Sequence, residues 1–353
     1  MYLKVNKICW LFPILYFFMV WLTMSEVSEG TDFKAQVYAL ENIKNDPLFF
    51  FSSEEPFLYY ATYNILYSIC GISARLYISI LSFIYFSVLI ITIEKIANIY
   101  IDIDLIDKDV TNIALFTCLC YSPIFICIAR FHYAVTMVLI GLLILILKQN
   151  RLWNILGIII MLAAFYAHEG IVIIYFIVGG AYLLHKFWLS KTENISFRNI
   201  LIISISMIFL IIGPKVFSLI TSIMGSKGLL NDRYAETYAQ ANSGDGAYLL
   251  VLILCLFGSM LVLLITSLYD RMNNLITAIC ISGLFMMCLC FNQKFFLVQR
   301  IFMFMPLFIG LSCMQVIGYE KNINLFKFLM LSIPSIYLCQ LIIQRSVFFG
   351  NVF

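Results

Sequence analysis

The chain has 353 residues, of which 63% are hydrophobic and only 12% are charged, and its mean hydropathy is +0.99. This composition excludes an ordinary soluble protein and indicates a helical membrane protein that crosses the bilayer several times. The net charge is only +3 and the basic residues stand singly, so the sequence also argues against nucleic-acid binding.

Apolar runs of membrane-spanning length recur along the whole chain. Since each crossing needs about 20 residues, a chain of this length accommodates about ten to twelve of them. We predict a single all-α integral membrane domain, residues 1–353, with about eleven transmembrane helices. The predicted spans are residues 8–24, 74–93, 110–128, 131–147, 152–167, 170–185, 199–222, 247–268, 275–291, 297–317 and 325–343.

Two longer polar stretches separate these runs. Residues 25–73 begin with acidic and polar positions and end in a Tyr-rich stretch, which predicts a loop with interfacial helices and with tyrosines at the level of the lipid headgroups. Residues 223–246 are mostly polar and predict a second long loop.

The orientation follows from the short connectors. The connector with Lys148 and Arg151 is basic, as is the one with Lys186 and Lys191. The positive-inside rule therefore predicts that these connectors and the N-terminus are cytoplasmic, and that both long loops are periplasmic.

A hairpin in the middle of the chain carries the most informative polar residues. Arg130 precedes Lys148 by about 18 residues and His168 follows Arg151 by about 17, so at about 1.5 Å rise per residue each leg spans roughly one bilayer core. The start of the first leg, at Arg130, and the end of the second leg, at His168, therefore lie at one membrane level, on the periplasmic side. The polar side chains placed at this level are Arg130, His132, His168 and Glu169.

Further polar residues are predicted on the same side of the membrane. They are Asp32, Arg75, Arg233, Tyr234, Lys294 and Arg300. Arginine matches phosphate oxygens with a fixed fork of donors, so several arginines at one surface favour a polyanion such as a lipid pyrophosphate as the ligand. Taken singly, Arg75 and Lys215 are equally consistent with side chains that reach out to the headgroups.

The cysteines are predicted to be packing residues and not metal ligands. Nearly all of the 11 cysteines fall inside apolar runs, where cysteine packs as a small hydrophobic residue. Since no Cys/His cluster has the spacing of a zinc site and no D-x-D motif is present, we predict neither a metal nor a cofactor.

Short motifs recur along the chain in a recognisable order. They are G-T-D at 30–32 with Tyr38, E-P-F at 55–57, A-R-x-x-x-A at 129–134, F-Y-A-H-E-G at 165–170, R-Y at 233–234 and R-x-x-x-F-x-P at 300–306. In this order they resemble the EpsG family of Wzy-like polysaccharide polymerases of bacterial envelopes. The chain departs from the family at Phe131, where a Gln usually follows the arginine, and at Gly170, where a Ser usually follows the histidine.

The resemblance implies an all-α architecture similar to that of the GT-C glycosyltransferases, with an outward-facing active site. It implies a metal-independent polymerase in the bacterial inner membrane that joins undecaprenyl-diphosphate-linked oligosaccharide repeat units into O-antigen or capsular polysaccharide on the periplasmic face. The implied partners are these lipid-linked oligosaccharides, the lipid bilayer and a chain-length regulator protein.

The chemistry of that reaction assigns expected roles to the polar residues. An acceptor hydroxyl attacks an anomeric carbon while the lipid pyrophosphate departs, so the site needs cations and a base. We expect Arg130 and Arg300 to be the cations and His168 to be the base, with Glu169 and Asp32 behind it. The remaining candidates, expected to bind substrate, are His132, Arg233, Tyr234, Arg75 and Lys294.

Two other classes of function fit part of the pattern. A flippase or transporter of lipid-linked oligosaccharides would also be polytopic, but it would carry polar residues through the bilayer midplane and related halves, and this sequence shows neither. An O-antigen ligase or a membrane O-acyltransferase would share the outward arginines and histidine.

Overall fold

A computed structural model describes residues 7–23, 32–45, 57–100, 129–147, 150–189, 195–226 and 274–290, together with residues 301, 304 and 311. Within these ranges every regular element is helical, which confirms the predicted all-α class. The α-helices are α1 (Leu11–Thr23), α2 (Asp32–Asn45), α3 (Phe57–Cys70), α4 (Ala74–Tyr100), α5 (Ala129–Leu147), α6 (Arg151–Ala163), α7 (Val172–Leu184), α8 (Ile195–Ser226) and α9 (Asn274–Cys290). Short 3-10 turns cover Lys7–Trp10, Ala164–Tyr166 and Glu169–Ile171, and a π-helical turn covers His185–Leu189.

Three stretches of the described chain are long and apolar enough to cross a membrane, namely Ala74–Ile99, Ala129–Leu147 and Glu169–Phe187. They confirm the helices predicted at 74–93, 131–147 and 170–185. Shorter apolar helices at Arg151–Tyr166, Ser204–Gly213 and Ile276–Met286 overlap three more predicted spans. The total of eleven spans, the GT-C-like architecture and the single integral domain remain predictions.

Several predicted boundaries differ from the observed ones. In the first predicted span, 8–24, the helical structure begins as the 3-10 turn Lys7–Trp10 and continues as the 13-residue α1. Helix α8 continues to Ser226, inside the predicted loop 223–246, because the apolar residues Ile223 and Met224 extend the helical sequence pattern. The predicted spans 110–128, 247–268 and 325–343, and all but three residues of 297–317, lie outside the described residues.

The described parts of the predicted loop 25–73 are the helices α2 and α3 and the turn that follows α3, and the interfacial position of these helices stays a prediction. Helix α3 ends at Gly71, whose φ of +64° suits glycine and whose N–H donates to the Tyr67 carbonyl at 2.8 Å. Two residues later Ser73 begins α4, since its Oγ accepts from Leu76 N–H at 3.3 Å. The Tyr77 hydroxyl donates to the Tyr59 carbonyl at 2.9 Å, so α3 and α4 form a closed hairpin.

The described chain up to Val172 forms one compact unit, and the described chain from Ile173 onward forms another. In the first unit α1 packs on α4, α4 on α5, and α5 on α6. In the second unit α8 packs on α9. The candidate residues of the central hairpin all belong to the first unit.

The hairpin of α5 and α6 is held by a close approach of two backbones. A Cβ atom on Gly157 would lie 2.9 Å from the Gly141 carbonyl oxygen and 3.1 Å from Leu145 Cγ. Small residues at such crossings allow membrane helices to pack closely. This contact holds the two legs together and fixes the segment after α6, which carries His168.

We expect Gly157→Ala to lower the melting temperature of the detergent-purified protein. Forcing a methyl group against a backbone carbonyl costs about 1–3 kcal/mol, which outweighs the gain of up to about 1 kcal/mol in helix propensity. Gly179→Ala is the matched control, since a Cβ atom there meets no atom within 4 Å. Equal melting temperatures for the two variants would contradict the close approach.

Candidate active site

The structure brings two of the predicted residues to one end of α5. Arg130 is the second residue of that helix, and the ring of the next residue, Phe131, contacts His168 edge-on with centroids 5.3 Å apart. The 3-10 turn Glu169–Ile171 also packs on α5. The common level of Arg130 and His168, predicted from the two leg lengths, is therefore present in the structure.

Arg130 is oriented by a tyrosine from the first loop. Its Nη1 donates to the Tyr60 hydroxyl at 3.3 Å, and Tyr60 is itself buried. Helix α3 also contacts the 3-10 turn Ala164–Tyr166 that precedes His168. Helix α3 therefore contacts both halves of the candidate site.

Tyrosines of α3 form a buried cluster beside Arg130. The Tyr59 ring contacts Tyr60, Tyr77 and Tyr133 at centroid distances of 5.2, 5.4 and 6.1 Å. Burial raises the pKa of the Tyr59 phenol well above its ordinary value, so the phenol stays protonated. The Tyr133 hydroxyl is within hydrogen-bonding distance of Thr62 Oγ1, 2.9 Å away, which ties α5 to α3.

The packing of these tyrosines adds to one expectation. The sequence predicts tyrosines at the headgroup level, which stays a prediction, and the structure shows that Tyr59, Tyr60 and Tyr63 are all buried within the protein. Their spacing contained the signal, since positions 59, 60, 63 and 67 form one stripe on a helix, which is the pattern of a packed face. The role of Tyr60 as a partner of Arg130 was not predicted.

The backbone around His168 fixes the state of its ring. His168 has an extended backbone, with φ of −166° and ψ of 118°, and stands between two 3-10 turns. Its Nδ1 accepts a hydrogen bond from the Gly170 N–H at 2.9 Å. A neutral imidazole that accepts at Nδ1 carries its hydrogen on Nε2. The His168 side chain therefore presents a donor at Nε2.

His132 occupies a different environment from that expected for a substrate-binding residue. It is buried, and its ring contacts Tyr85 of α4 with centroids 5.0 Å apart. It lines a small internal cavity of about 10 Å³ between α1, α4 and α5, together with Tyr16 and Ser82. A cavity of that size holds about one water molecule, so this face of His132 belongs to the packed interior.

The other candidates are distributed more widely. Glu169 is exposed and lies in the turn that follows His168. Asp32 is the first residue of α2. Arg75 lies over the Trp21 ring of α1, with Cζ 5.8 Å from the ring centroid. The candidates Arg233, Tyr234, Lys294 and Arg300 lie outside the described residues.

Metal ligation has no support in the described part of the chain. No group of three or more His, Cys, Asp or Glu residues lies close enough together there to hold an ion. The cysteines described are free thiols, at Cys9, Cys70, Cys280 and Cys288.

Comparison with known proteins gives one match. Residues 9–349 match the model of the EpsG family. Searches of curated proteins and of solved structures gave no match. Since the family match covers nearly the whole chain and the helices between Ala74 and Phe187 include three candidate membrane spans, this chain belongs to the EpsG family of polysaccharide polymerase-like membrane proteins.

Proposed function

We propose that this protein is a lipid-dependent glycosyltransferase that polymerises undecaprenyl-diphosphate-linked oligosaccharide repeat units into O-antigen or capsular polysaccharide on the periplasmic face of the inner membrane. The observation that carries the proposal is the placement of Arg130 and His168 at one end of α5, linked by the contact between Phe131 and His168. A cation and an imidazole at one membrane level suit a reaction in which a lipid diphosphate departs.

Arg130 is proposed to bind the departing diphosphate. Negative charge grows on the diphosphate as the glycosidic bond to it breaks, so a fixed cation stabilises the transition state more than the ground state. The hydrogen bond to Tyr60 orients the guanidinium, and a fixed plane is what bidentate binding of phosphate oxygens requires. The tyrosine cluster thereby prepares the cation before substrate binds.

His168 is proposed to act as a hydrogen-bond donor. The sequence suggested a general base, but a base needs a ring nitrogen with an available lone pair. The Nδ1 lone pair already accepts from Gly170, and Nε2 carries the hydrogen. The geometry therefore favours donation from Nε2 to a phosphate oxygen or to a sugar hydroxyl.

The remaining roles are proposed from the chemistry of the reaction. Arg300 is proposed to contribute a second cation, with Arg233 and Lys294 as further phosphate contacts and Tyr234 as a sugar contact. Glu169 and Asp32 are proposed to act on the acceptor side, where an exposed carboxylate such as Glu169 can take a proton from an attacking hydroxyl. A chain-length regulator is the proposed protein partner.

A deletion strain tests the overall activity. We expect its lipopolysaccharide gel to show core carrying a single repeat unit, and the ladder to return when the intact gene is supplied. Bare core without any repeat would contradict the polymerase assignment and favour a ligase or a flippase. If the strain makes capsule or exopolysaccharide instead, the corresponding expectation is accumulation of lipid-linked single repeats.

A further inference from the structure

An apolar crevice lies on the outer surface of the first unit, between α1 and α4. Its volume is about 270 Å³, and it is lined by Ile14, Phe17, Ile80 and Phe83. Ile14 is 44% exposed and Phe83 is 38% exposed, so the crevice is open at the surface of the protein. In a helix that crosses a membrane, such a surface faces hydrocarbon.

A cation is connected to one end of this crevice by two aromatic rings. Phe17, which lines the crevice, stacks on Trp21 with centroids 6.4 Å apart and planes inclined by 5°. The Arg75 guanidinium lies over the Trp21 ring of this stacked pair, with Cζ 5.8 Å from the ring centroid. Within the described part of the chain, no carboxylate lies within ion-pair distance of Arg75.

The position of Arg75 along its helix gives the depth of the cation. The candidate membrane span of α4 begins at Ala74, so Arg75 stands at the end of the apolar stretch. Tryptophan is enriched at this depth, where lipid headgroups meet the hydrocarbon. The amino end of α4 adds partial positive charge at the same place. The result is a positive group above an open apolar crevice.

We propose that this surface binds one anionic phospholipid of the bilayer, with the phosphodiester at Arg75 and one acyl chain in the crevice. A single arginine complements the single negative charge of such a headgroup, and the four apolar side chains match an acyl chain. The site is separate from Arg130 in its contacts, and it does not rest on the proposed glycosyltransferase activity.

The test is native mass spectrometry of the full-length protein in detergent with added phosphatidylglycerol or phosphatidylcholine of identical acyl chains. We expect selective binding of phosphatidylglycerol, reduced about tenfold or more by Arg75→Gln, the loss typical of one charge-assisted contact. Lys95→Gln is the matched control, because Lys95 is also on α4 but 4.0 Å from Glu94.

The crevice is tested separately from the cation. Ile80→Trp, which fills the crevice, is expected to abolish binding, whereas Ile91→Trp at another exposed position of α4 is expected to leave it unchanged. Equal binding of both lipids, or binding unaffected by Arg75→Gln and Ile80→Trp, would overturn the proposal. It would also be overturned if the lipid that co-purifies from cells through Arg75 has the mass of a prenyl diphosphate and not of a glycerophospholipid.

Discussion

Arg130→Lys is expected to collapse the polysaccharide from long chains to one or a few repeat units, at unchanged abundance of the protein in the membrane. Lysine keeps the positive charge but lacks the planar fork of donors, so it cannot bind two oxygens of a diphosphate in a fixed plane. Removal of one preorganised donor at a developing charge typically costs about 10² to 10³ in rate. Chain length on a gel and protein level by immunoblot measure the two quantities.

Two controls separate this role from a simple anchoring role. Arg75→Lys, at the arginine over Trp21, is expected to leave chain length unchanged. Tyr60→Phe removes only the hydroxyl that orients Arg130, and is expected to shorten the chains less than Arg130→Lys does. If Arg130→Lys makes full-length polymer, Arg130 is not a diphosphate clamp, because an arginine that only reaches the interface is replaceable by lysine.

Substitutions of His168 distinguish a donor from a base. The amide nitrogen of Gln can occupy the position of Nε2 and donate, whereas Asn can replace the Nδ1 acceptor for Gly170 but has no donor at the Nε2 position. We expect His168→Gln to keep the activity within about tenfold, and His168→Asn and His168→Ala to lower it about 10²-fold or more. Incorporation of labelled repeat units into polymer by isolated membranes measures these rates.

A base would give a different pattern, since neither amide can accept a proton and all three variants would lose activity together. His185→Ala is the control for general effects of histidine loss, because His185 lies in the π-helical turn after α7 and outside the first unit. Equal activity of His168→Ala and His185→Ala would remove His168 from the mechanism.

The common membrane level of Arg130 and His168 could be predicted because it depends only on the rise per residue of an α-helix. The rise per residue of a helix is fixed, so counting from Lys148 and Arg151 places both ends. The contacts at that level could not be predicted in the same way. The Nε2–H state of His168 depends on the backbone at Gly170, which is set by two 3-10 turns that hydropathy does not reveal.

The side chains that surround the two arginines could not be predicted from the sequence either. Arg75 and Arg130 are each the second residue of an apolar helix, and hydropathy does not give the neighbours of either side chain. The tertiary structure distinguishes the two arginines, since Arg75 lies over Trp21 and Arg130 donates to the Tyr60 hydroxyl. The sequence predicts tyrosines of α3 at the headgroup level but does not show that the stripe they form packs against α4 and α5.

The closed turn between α3 and α4 has a consequence for biosynthesis. The bonds at Gly71 and Ser73 and the bond from Tyr77 to Tyr59 join residues close in sequence, so this hairpin can form early. Arg130 is synthesised about 60 residues after the end of α3, which at 5–20 residues per second is roughly 3 to 12 seconds later. A charged side chain is costly to place in an apolar surrounding on its own. On this order of events, the nascent Arg130 reaches a hydroxyl that is already in place to receive it.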